Sequence, residues 1–166
     1  MIFNDISARD IQLPEMQFYK GKSYRTFGPA GPFLTLVDAG DLARFPELRL
    51  QLSVNGEARQ NSLASDMVHK PPATLTELSA LQNWRAGDLL ATGTPGGCAL
   101  QAPAAPLRML AQALPALSRQ KLIRGAARRN TRRLKPGDIV ETRIGTDDGK
   151  LDLGVQRNRV VARAES

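Results

Sequence analysis

The chain has 166 residues, 42% of them hydrophobic, and a formal net charge of +7. This length suits one domain with a sizeable core, and the lack of a run of about 20 apolar residues excludes a membrane-spanning helix. A solitary cysteine, Cys98, excludes an internal disulfide, and no basic-then-apolar leader opens the sequence. We therefore expect a soluble single domain over 1–166, located in the cytoplasm.

The positive charge is concentrated in one segment. Eight of the 23 Lys and Arg residues lie between 119 and 135, where there is no Asp or Glu, so that 15 basic and 16 acidic residues remain elsewhere. Such a cluster suits phosphate groups or an acidic protein surface through counterion release. It also suits a solvated face of an insertion, which we favour over nucleic-acid binding because no aromatic residue lies among the charges. The residues are Arg119, Lys121, Arg124, Arg128, Arg129, Arg132, Arg133 and Lys135.

The first clear element is a β-hairpin over 48–61. Leu50, Leu52 and Val54 alternate with polar residues, which is the period of a half-buried strand. Asn55-Gly56 then supplies the two positive-φ positions of a tight turn.

A helix is predicted from Thr74, because Glu77 follows three residues later as in a capping box. Leu75, Leu78 and Leu81 share one face of this helix, and the sequence Arg-Ala-Gly-Asp at 85–88 ends it. The apolar run at 89–92 predicts a strand that leads to a loop.

The segment 98–134 predicts a helical and basic insertion, since leucines at 107, 110 and 114 have helical spacing and precede the basic run. Strands are predicted at 138–144 and 151–155 around an Asp-Asp-Gly-Lys turn at 147–150, with a further strand at 159–162. The elements together indicate an α+β fold that is mainly β.

Five motifs follow one another along the chain. They are Asn4-Asp5-Ile6-Ser7-Ala8-Arg9-Asp10-Ile11-Gln12, Lys22-Ser23-Tyr24 with Thr26, Gly28-Pro29-Ala30-Gly31-Pro32, Val54-Asn55-Gly56-Glu57 with Gln60, and Thr92-Gly93-Thr94-Pro95-Gly96. In this order they resemble the fumarylacetoacetate hydrolase superfamily over 4–97, and the resemblance resumes over 134–161. Several motifs in the right order are more specific than any one of them. The resemblance implies a mixed β-roll or barrel-like sheet.

The resemblance also implies a metal-dependent catalytic site. Asp5 matches the family's metal-binding aspartate, and a carboxylate suits a hard cation such as Mg²⁺ or Mn²⁺. Lys22 matches a catalytic lysine beside the metal, where its charge would stabilise an enolate. Taken alone, Asp5 also suits a turn at a strand end and Lys22 a solvated turn.

Four further positions match pocket residues of the family. Arg9, Gln12 and Thr26 match substrate-binding positions, where a guanidinium grips a carboxylate and an amide donates to an oxyanion. Thr94 matches a catalytic threonine in a glycine-rich loop whose backbone N–H groups suit an anion. The alternatives are an ion pair of Arg9 with Asp10, a polar loop contact for Gln12, and ordinary turn roles for the glycines.

The chemistry implied by the resemblance is enolate chemistry on small 2-oxo acids or 1,3-dicarbonyl acids in aromatic catabolism. A divalent cation chelates such a substrate while a C–C bond breaks or a proton moves. Hydrolysis, decarboxylation, hydration and isomerisation all fit, so the motifs define a class of transition state and not a product.

Other family members carry a Glu-x-Glu pair and a His–Glu base ahead of the first motif, and this sequence has no substitute for them. No two acidic residues lie two positions apart, and the single histidine, His69, precedes Lys-Pro-Pro at 70–72, which predicts an exposed loop residue. We expect Cys98 to be a buried packing residue, with a reactive thiol as the alternative.

The absent residues lead to one expectation about metal binding and to two hypotheses about activity, and the basic segment leads to a third hypothesis. The chain alone is expected to bind metal weakly, because one carboxylate is a poor Mg²⁺ site. It is then either an N-terminally truncated enzyme, completed by a homodimer or by a partner chain that supplies the missing half, or a catalytically silent remnant. The third hypothesis is a binder of nucleic acid or acidic protein through 119–135.

Overall fold

The structure is a computed structural model that describes residues 1–15, 18–99, 114–115, 117–119, 121, 123, 125 and 130–162. Its contacts divide the chain into two compact units. The first unit comprises Met1–Phe3, Gly31–Gly97 and Ile139–Asn158. The second comprises the described residues of Asn4–Ala30, Cys98–Asp138 and Arg159–Ser166.

Strands and short helices alternate along the described residues. The strands are β1 (Ile2–Phe3), β2 (Ala30–Gly31), β3 (Arg49–Val54), β4 (Glu57–Leu63), β5 (Ile139–Gly145) and β6 (Asp152–Arg159). The helices are α1 (Arg9–Glu15), α2 (Phe18–Lys22), α3 (Ala39–Ala43) and α4 (Pro71–Ser79), with 3₁₀ turns at Phe45–Glu47 and Ala64–Asp66. The predicted α+β class with mainly sheet is confirmed, and the sheets are open rather than closed into a barrel.

The first unit is built on a four-stranded sheet in the order β4-β3-β5-β6. The predicted hairpin is confirmed, because β3 and β4 pair antiparallel across Asn55 and Gly56, whose φ angles are 52° and 82°. Both residues adopt the left-handed conformation that a tight two-residue turn requires. The predicted pair of C-terminal strands is also confirmed, as β5 and β6.

The apolar face of this sheet follows from the alternation of side chains along β3 and β5. Leu52 lies opposite Thr142 and Val54 lies opposite Val140, which is only 3% exposed. The intervening Glu141 and Arg143 are exposed on the other face, as the two-residue period of a strand demands. The core of the first unit therefore lies on the face of β3 that carries Leu50, Leu52 and Val54.

The predicted helix is confirmed, but Thr74 is not its N-cap residue. Helix α4 begins at Pro71, with Lys70 as its N-cap residue, and it ends at Ser79. Proline fixes φ near the helical value and loses no hydrogen bond in the first turn, so the pair at 71–72 sets the start. The Thr74 hydroxyl instead donates to the Lys70 carbonyl from inside the helix, at 3.2 Å.

The predicted strands at 89–92 and 159–162 are wrong. Residues 89–92 have no strand pairing in the described part of the chain, and β6 ends at Arg159. At 89–92 the apolar run does not supply the ladder partner that a strand needs. Beyond β6, Val160 still exchanges backbone hydrogen bonds with Gly137 and Asp138, both at 2.8 Å, but no strand continues there.

The sequence at 85–88 does not end the helix as predicted, because α4 already ends at Ser79. Residues 86–87 do form a turn, in which the Arg85 N–H donates to the Asp88 side chain at 2.8 Å.

The predicted insertion at 98–134 lies largely outside the described residues. The positions described at 117–119, 121, 123 and 125 are helical, whereas the leucines at 107 and 110 are not described. The insertion therefore stays a prediction. None of the described helices has the length and apolar character needed to cross a membrane.

Ion pairs connect the β5–β6 turn to Arg44, which lies ahead of β3, and to Arg49, the first residue of β3. Arg44 contacts Glu47 at 2.6 Å and Asp148 at 2.8 Å. Arg49 holds both carboxylate oxygens of Asp147, at 2.7 and 2.8 Å. The fork of the Arg49 guanidinium matches the carboxylate in two places, which orients the turn more strictly than one contact.

We expect Asp148 to make the fold sensitive to acid. A hydrogen bond from the Thr146 hydroxyl, then the Lys150 N–H and Arg44, lower the pKa of Asp148 from 3.8 to about 2. Because the folded pKa lies below the ordinary value, this stabilisation is complete above pH 3.8 and is lost as the pH falls towards 2. NMR titration of the Asp148 carboxyl carbon measures the midpoint, and acid unfolding of Asp148→Asn should lack this component. A carboxyl that titrates near 3.8 would contradict the network.

Candidate functional site

Two of the residues predicted for the site meet in the second unit. The Lys22 ammonium, at the last position of α2, donates to Oδ2 of Asp5 in the loop ahead of α1. Their side chains are 30% and 29% exposed, so the pair lies at the surface of the unit but is partly shielded from water. Lys22 is therefore a paired residue at a helix end and not a solvated turn residue.

Close packing of α1 against α2 brings this pair together. The Ala8 N–H donates to the Gly21 carbonyl at 2.8 Å, which ties the start of α1 to the residue before Lys22. Gly21 is buried, and a Cβ at this position would lie 2.7 Å from the Cβ of Gln12. Only glycine allows this approach without a shift of one helix.

The buried side-chain N–H group of Gln12 has no hydrogen-bond acceptor among the described residues. Its side chain is 2% exposed, and its Oε1 accepts a hydrogen bond from the Arg9 guanidinium. A guanidinium only donates, so this contact fixes the amide orientation and turns Nε2 away from Arg9. Nε2 is buried and finds no hydrogen-bond partner among the described residues. A buried donor without an acceptor costs about 1–3 kcal/mol. The substrate-binding role implied for Gln12 stays a prediction.

Thr26 has an unusual backbone conformation. It lies in a turn closed by the Phe27 N–H on the Tyr24 carbonyl, at 2.9 Å, and its φ is 70°. A β-branched residue in the left-handed region is a real outlier that the surrounding structure must enforce. The Thr26 side chain is exposed, and its substrate-binding role stays a prediction.

Thr94 belongs to the first unit, whereas Asp5, Arg9, Gln12, Lys22 and Thr26 belong to the second. It lies in an exposed loop whose glycines at 93 and 97 have φ angles of 106° and 93°. The carbonyl of Pro95 in this loop accepts a hydrogen bond from Gln60 Nε2 at 3.1 Å. The catalytic role implied for Thr94 stays a prediction.

The described residues do not by themselves fit a divalent-metal site. In the described ranges, no group of three or more His, Cys, Asp or Glu side chains lies close enough to hold an ion. Asp5 offers one carboxylate, and Lys22 already neutralises it. Mg²⁺ holds its octahedral shell through carboxylates, waters and substrate oxygens, so Asp5 provides at most one of its contacts.

Three predictions outside this cluster have different outcomes. His69 is an exposed loop residue, as predicted, and Cys98 is half-buried rather than fully buried. Arg119, Lys121, Arg133 and Lys135 are exposed, and Arg132 is half-buried. Arg124, Arg128 and Arg129 lie outside the described residues, so the binding role of 119–135 stays a prediction.

Sequence reasoning missed the two helices and the contact that positions Lys22. Helix α1 contains Pro14 and α2 has five residues, so neither shows a helical period long enough to be read. Gly21 carries no prediction of its own in the sequence. A glycine directly before a matched lysine was the one signal that a close backbone approach is needed there.

Comparison with known proteins identifies the family. A family model described as fumarylacetoacetate hydrolase, C-terminal, matches residues 1–161. The chain therefore belongs to the fumarylacetoacetate hydrolase family, whose members include hydrolases, isomerases and tautomerases.

Two curated relatives are tautomerases. Oxaloacetate tautomerase YisK of Bacillus subtilis is 44% identical over 96 residues, which are 58% of this chain and 31% of that protein. The mitochondrial oxaloacetate tautomerase FAHD2A of Bos taurus is 37% identical over 98 residues, which are 58% of this chain and 31% of that protein. The match thus spans under a third of each relative's own length.

Solved structures agree on the fold. A probable 2-hydroxyhepta-2,4-diene-1,7-dioate isomerase from Mycobacterium abscessus has a TM-score of 0.69 and 32% identity, covering 98% of this chain and 49% of that chain. A fumarylacetoacetate hydrolase from Exiguobacterium antarcticum has a TM-score of 0.68 and 28% identity, covering 97% of this chain and 46% of that chain. This chain spans less than half of either structure.

Proposed function

We propose that the protein acts on small 2-oxo acids or 1,3-dicarbonyl acids through an enolate, with Asp5, Arg9, Gln12 and Lys22 as its working cluster. Oxaloacetate is the first substrate to test, because two relatives are named as oxaloacetate tautomerases. In such a reaction a base takes a proton from the carbon beside the oxo group, and negative charge collects on the oxo oxygen. The base would come from outside the described residues, because the one carboxylate of the cluster, Asp5, is paired with Lys22. The cluster supplies the donors that this charge needs.

The buried Nε2 of Gln12 is the observation that supports the proposal most strongly. Proteins seldom leave such a donor without an acceptor, and a bound ligand is one way in which the bond is completed. Gln12 is one of six residues with such a buried atom among the described residues, and it is singled out because it also lies beside Arg9 and matches a substrate-binding position of the family. An oxo or enolate oxygen is an acceptor of the right kind, and its charge strengthens the bond as the enolate forms. The donor is held in advance by Arg9, so no reorganisation is needed when the charge develops.

Lys22 and Arg9 would each bind a negatively charged carboxylate group of such a substrate. The Lys22 ammonium contacts Asp5 and would exchange that carboxylate for one of the substrate. Arg9 uses one N–H group on Gln12 and keeps others of its five donors for a substrate carboxylate. Thr26, held by its turn, provides a hydroxyl for the same ligand. None of these roles requires a metal ion.

The divalent ion implied by the family enters the proposal in a limited way. Mg²⁺ or Mn²⁺ would take Asp5 as one ligand and would polarise the oxo group as a Lewis acid when bound. Its other ligands would come from outside the described residues, so we expect this chain to bind the ion weakly. We also propose that a second copy of the chain or a partner chain supplies those ligands. The cytoplasmic location stays a prediction.

The test of the proposal is Gln12→Leu, assayed by the ultraviolet absorbance of the oxaloacetate enol with Mg²⁺ present. We expect kcat/KM to fall about 10²-fold, as for the loss of one oxyanion donor. The free energy of unfolding should stay constant or rise, because leucine removes a buried donor that has no acceptor. The exposed amide of Gln82 gives the control, since Gln82→Leu should leave turnover unchanged. Equal turnover in Gln12→Leu and the native chain would contradict the proposal.

A further inference from the structure

The loop that carries Thr94 is fastened to an irregularity in β4. Along β3 and β4, Leu52 pairs with Gln60 and Ser53 pairs with Ala58, so that Arg59 is the additional residue of a β-bulge. A bulge twists its strand and redirects the groups on either side of it. The two residues at this bulge, Arg59 and Gln60, both contact the loop.

The first contact is a hydrogen bond. Gln60 Nε2 donates to the Pro95 carbonyl at 3.1 Å, from a half-buried position. Pro95 directly follows Thr94, so this bond fixes the peptide unit next to the threonine. The fixed φ of proline leaves the Thr94 carbonyl little freedom once the Pro95 carbonyl is held, and the residue before a proline is itself restricted in backbone conformation.

The second contact is a close approach of two backbones. Gly97 lies against the Arg59 carbonyl so tightly that a Cβ on Gly97 would be 2.0 Å from its oxygen and 3.3 Å from Cγ of Gln60. The φ of Gly97 is 93°, which glycine adopts without strain. The approach is possible only because residue 97 has no side chain.

The composition of the loop makes these contacts important for its conformation. The residues ahead of it, 89–92, form no strand pairing in the described part of the chain. Three of the five residues from 93 to 97 are glycines, which have the largest backbone freedom to lose. A loop of this composition stays in one conformation only where the sheet holds it.

We propose that Gln60 is a positioning residue, which acts through the Pro95 carbonyl to hold Thr94 in place on the bulge of β4. Gln60 does not touch the reacting atoms in this proposal. The proposal rests on the proposed function and also on the catalytic role that the family resemblance implies for Thr94. The attachment of the loop to β4 depends on neither.

Amide hydrogen exchange of the segment 92–98 tests the fastening without any substrate. In Gln60→Leu we expect exchange of the Thr94, Gly96 and Gly97 amides to rise about 5- to 10-fold, as the loss of one hydrogen bond implies. Gln51→Leu, which removes an exposed amide from β3, should leave it unchanged. Should Gln60→Leu fail to fold, Gln60→Glu keeps a polar side chain that cannot donate at neutral pH. Unchanged exchange at 94–97 with intact β3 and β5 would overturn the proposal.

Turnover of oxaloacetate gives the functional arm. Gln60→Leu should lower kcat and leave KM nearly unchanged, and it should have little further effect in a Thr94→Ala background, since it acts through that residue. Equal effects of Gln60→Leu with and without Thr94 would contradict the positioning role. If the native chain shows no turnover, the proposed function fails, and the exchange measurement still decides whether Gln60 holds the loop.

Discussion

Replacement of Lys22 by methionine is expected to lower turnover of oxaloacetate about 10²- to 10³-fold. Methionine keeps the length and apolar stem of lysine and removes the charge that would stabilise the enolate oxygen or bind a substrate carboxylate. The change also leaves the Asp5 carboxylate without the ammonium that now contacts it. Initial rates over a range of oxaloacetate concentrations measure the effect and show whether kcat or KM carries it.

Lys20 provides the matched control. It lies in the same last turn of α2 and is exposed, so Lys20→Met removes the same charge from the same helix. We expect Lys20→Met to keep native rates at ordinary ionic strength. Similar losses in the two variants would show that the helix needs net positive charge, and the specific role of Lys22 would then be wrong.

Replacement of Gly97 by alanine is expected to destabilise the first unit by about 2–4 kcal/mol, because it combines two penalties. The added Cβ would lie 2.0 Å from the Arg59 carbonyl oxygen, which is backbone and cannot rotate away. Alanine is also strained at a φ of 93°. Urea unfolding followed by tryptophan fluorescence and circular dichroism measures the change.

The same loop contains two controls that separate these penalties. Gly93 has a φ of 106° but open space around its Cα, so Gly93→Ala should cost only the backbone strain of about 1 kcal/mol. Gly96 has open space and no positive φ, and Gly96→Ala should change stability by less than about 0.5 kcal/mol. If Gly97→Ala were as stable as Gly96→Ala, the loop would not be fastened to β4 as described.

Local turn chemistry made the sheet predictable from the sequence. Asn55-Gly56 and the Asp-Gly turn at 147–150 fix where strands reverse, because few residue types adopt the required positive φ. The residues between such turns need only to alternate. Strands β3 and β4, and β5 and β6, therefore follow from signals within a few residues of each turn.

The failures have non-local or competing causes. Thr74 and Glu77 have the spacing of a capping box, but two prolines just ahead of them start the helix earlier. The run at 89–92 has strand composition, yet pairing depends on partners far along the chain. The composition and spacing of a segment do not show whether another strand pairs with it.

The site was predicted as a set of residues but not as an arrangement. The resemblance pointed to Asp5, Gln12 and Lys22, and the structure adds that Lys22 contacts Asp5 across 17 positions. That contact depends on the packing of Gly21 against Gln12. Such packing between helices cannot be predicted from the local sequence pattern. The same packing buries Nε2 of Gln12, which therefore cannot donate a hydrogen bond to bulk water.

The most direct test of the central claim is binding of oxalate, a planar dianion that imitates the enolate of a 2-oxo acid. Calorimetric titration of the purified chain, with and without Mg²⁺, should show saturable binding that weakens at least about tenfold in Gln12→Leu and in Lys22→Met, and that persists in Lys20→Met. Binding of equal strength in all four proteins, or none in the native chain under either condition, would contradict the claim that this cluster recognises 2-oxo acids.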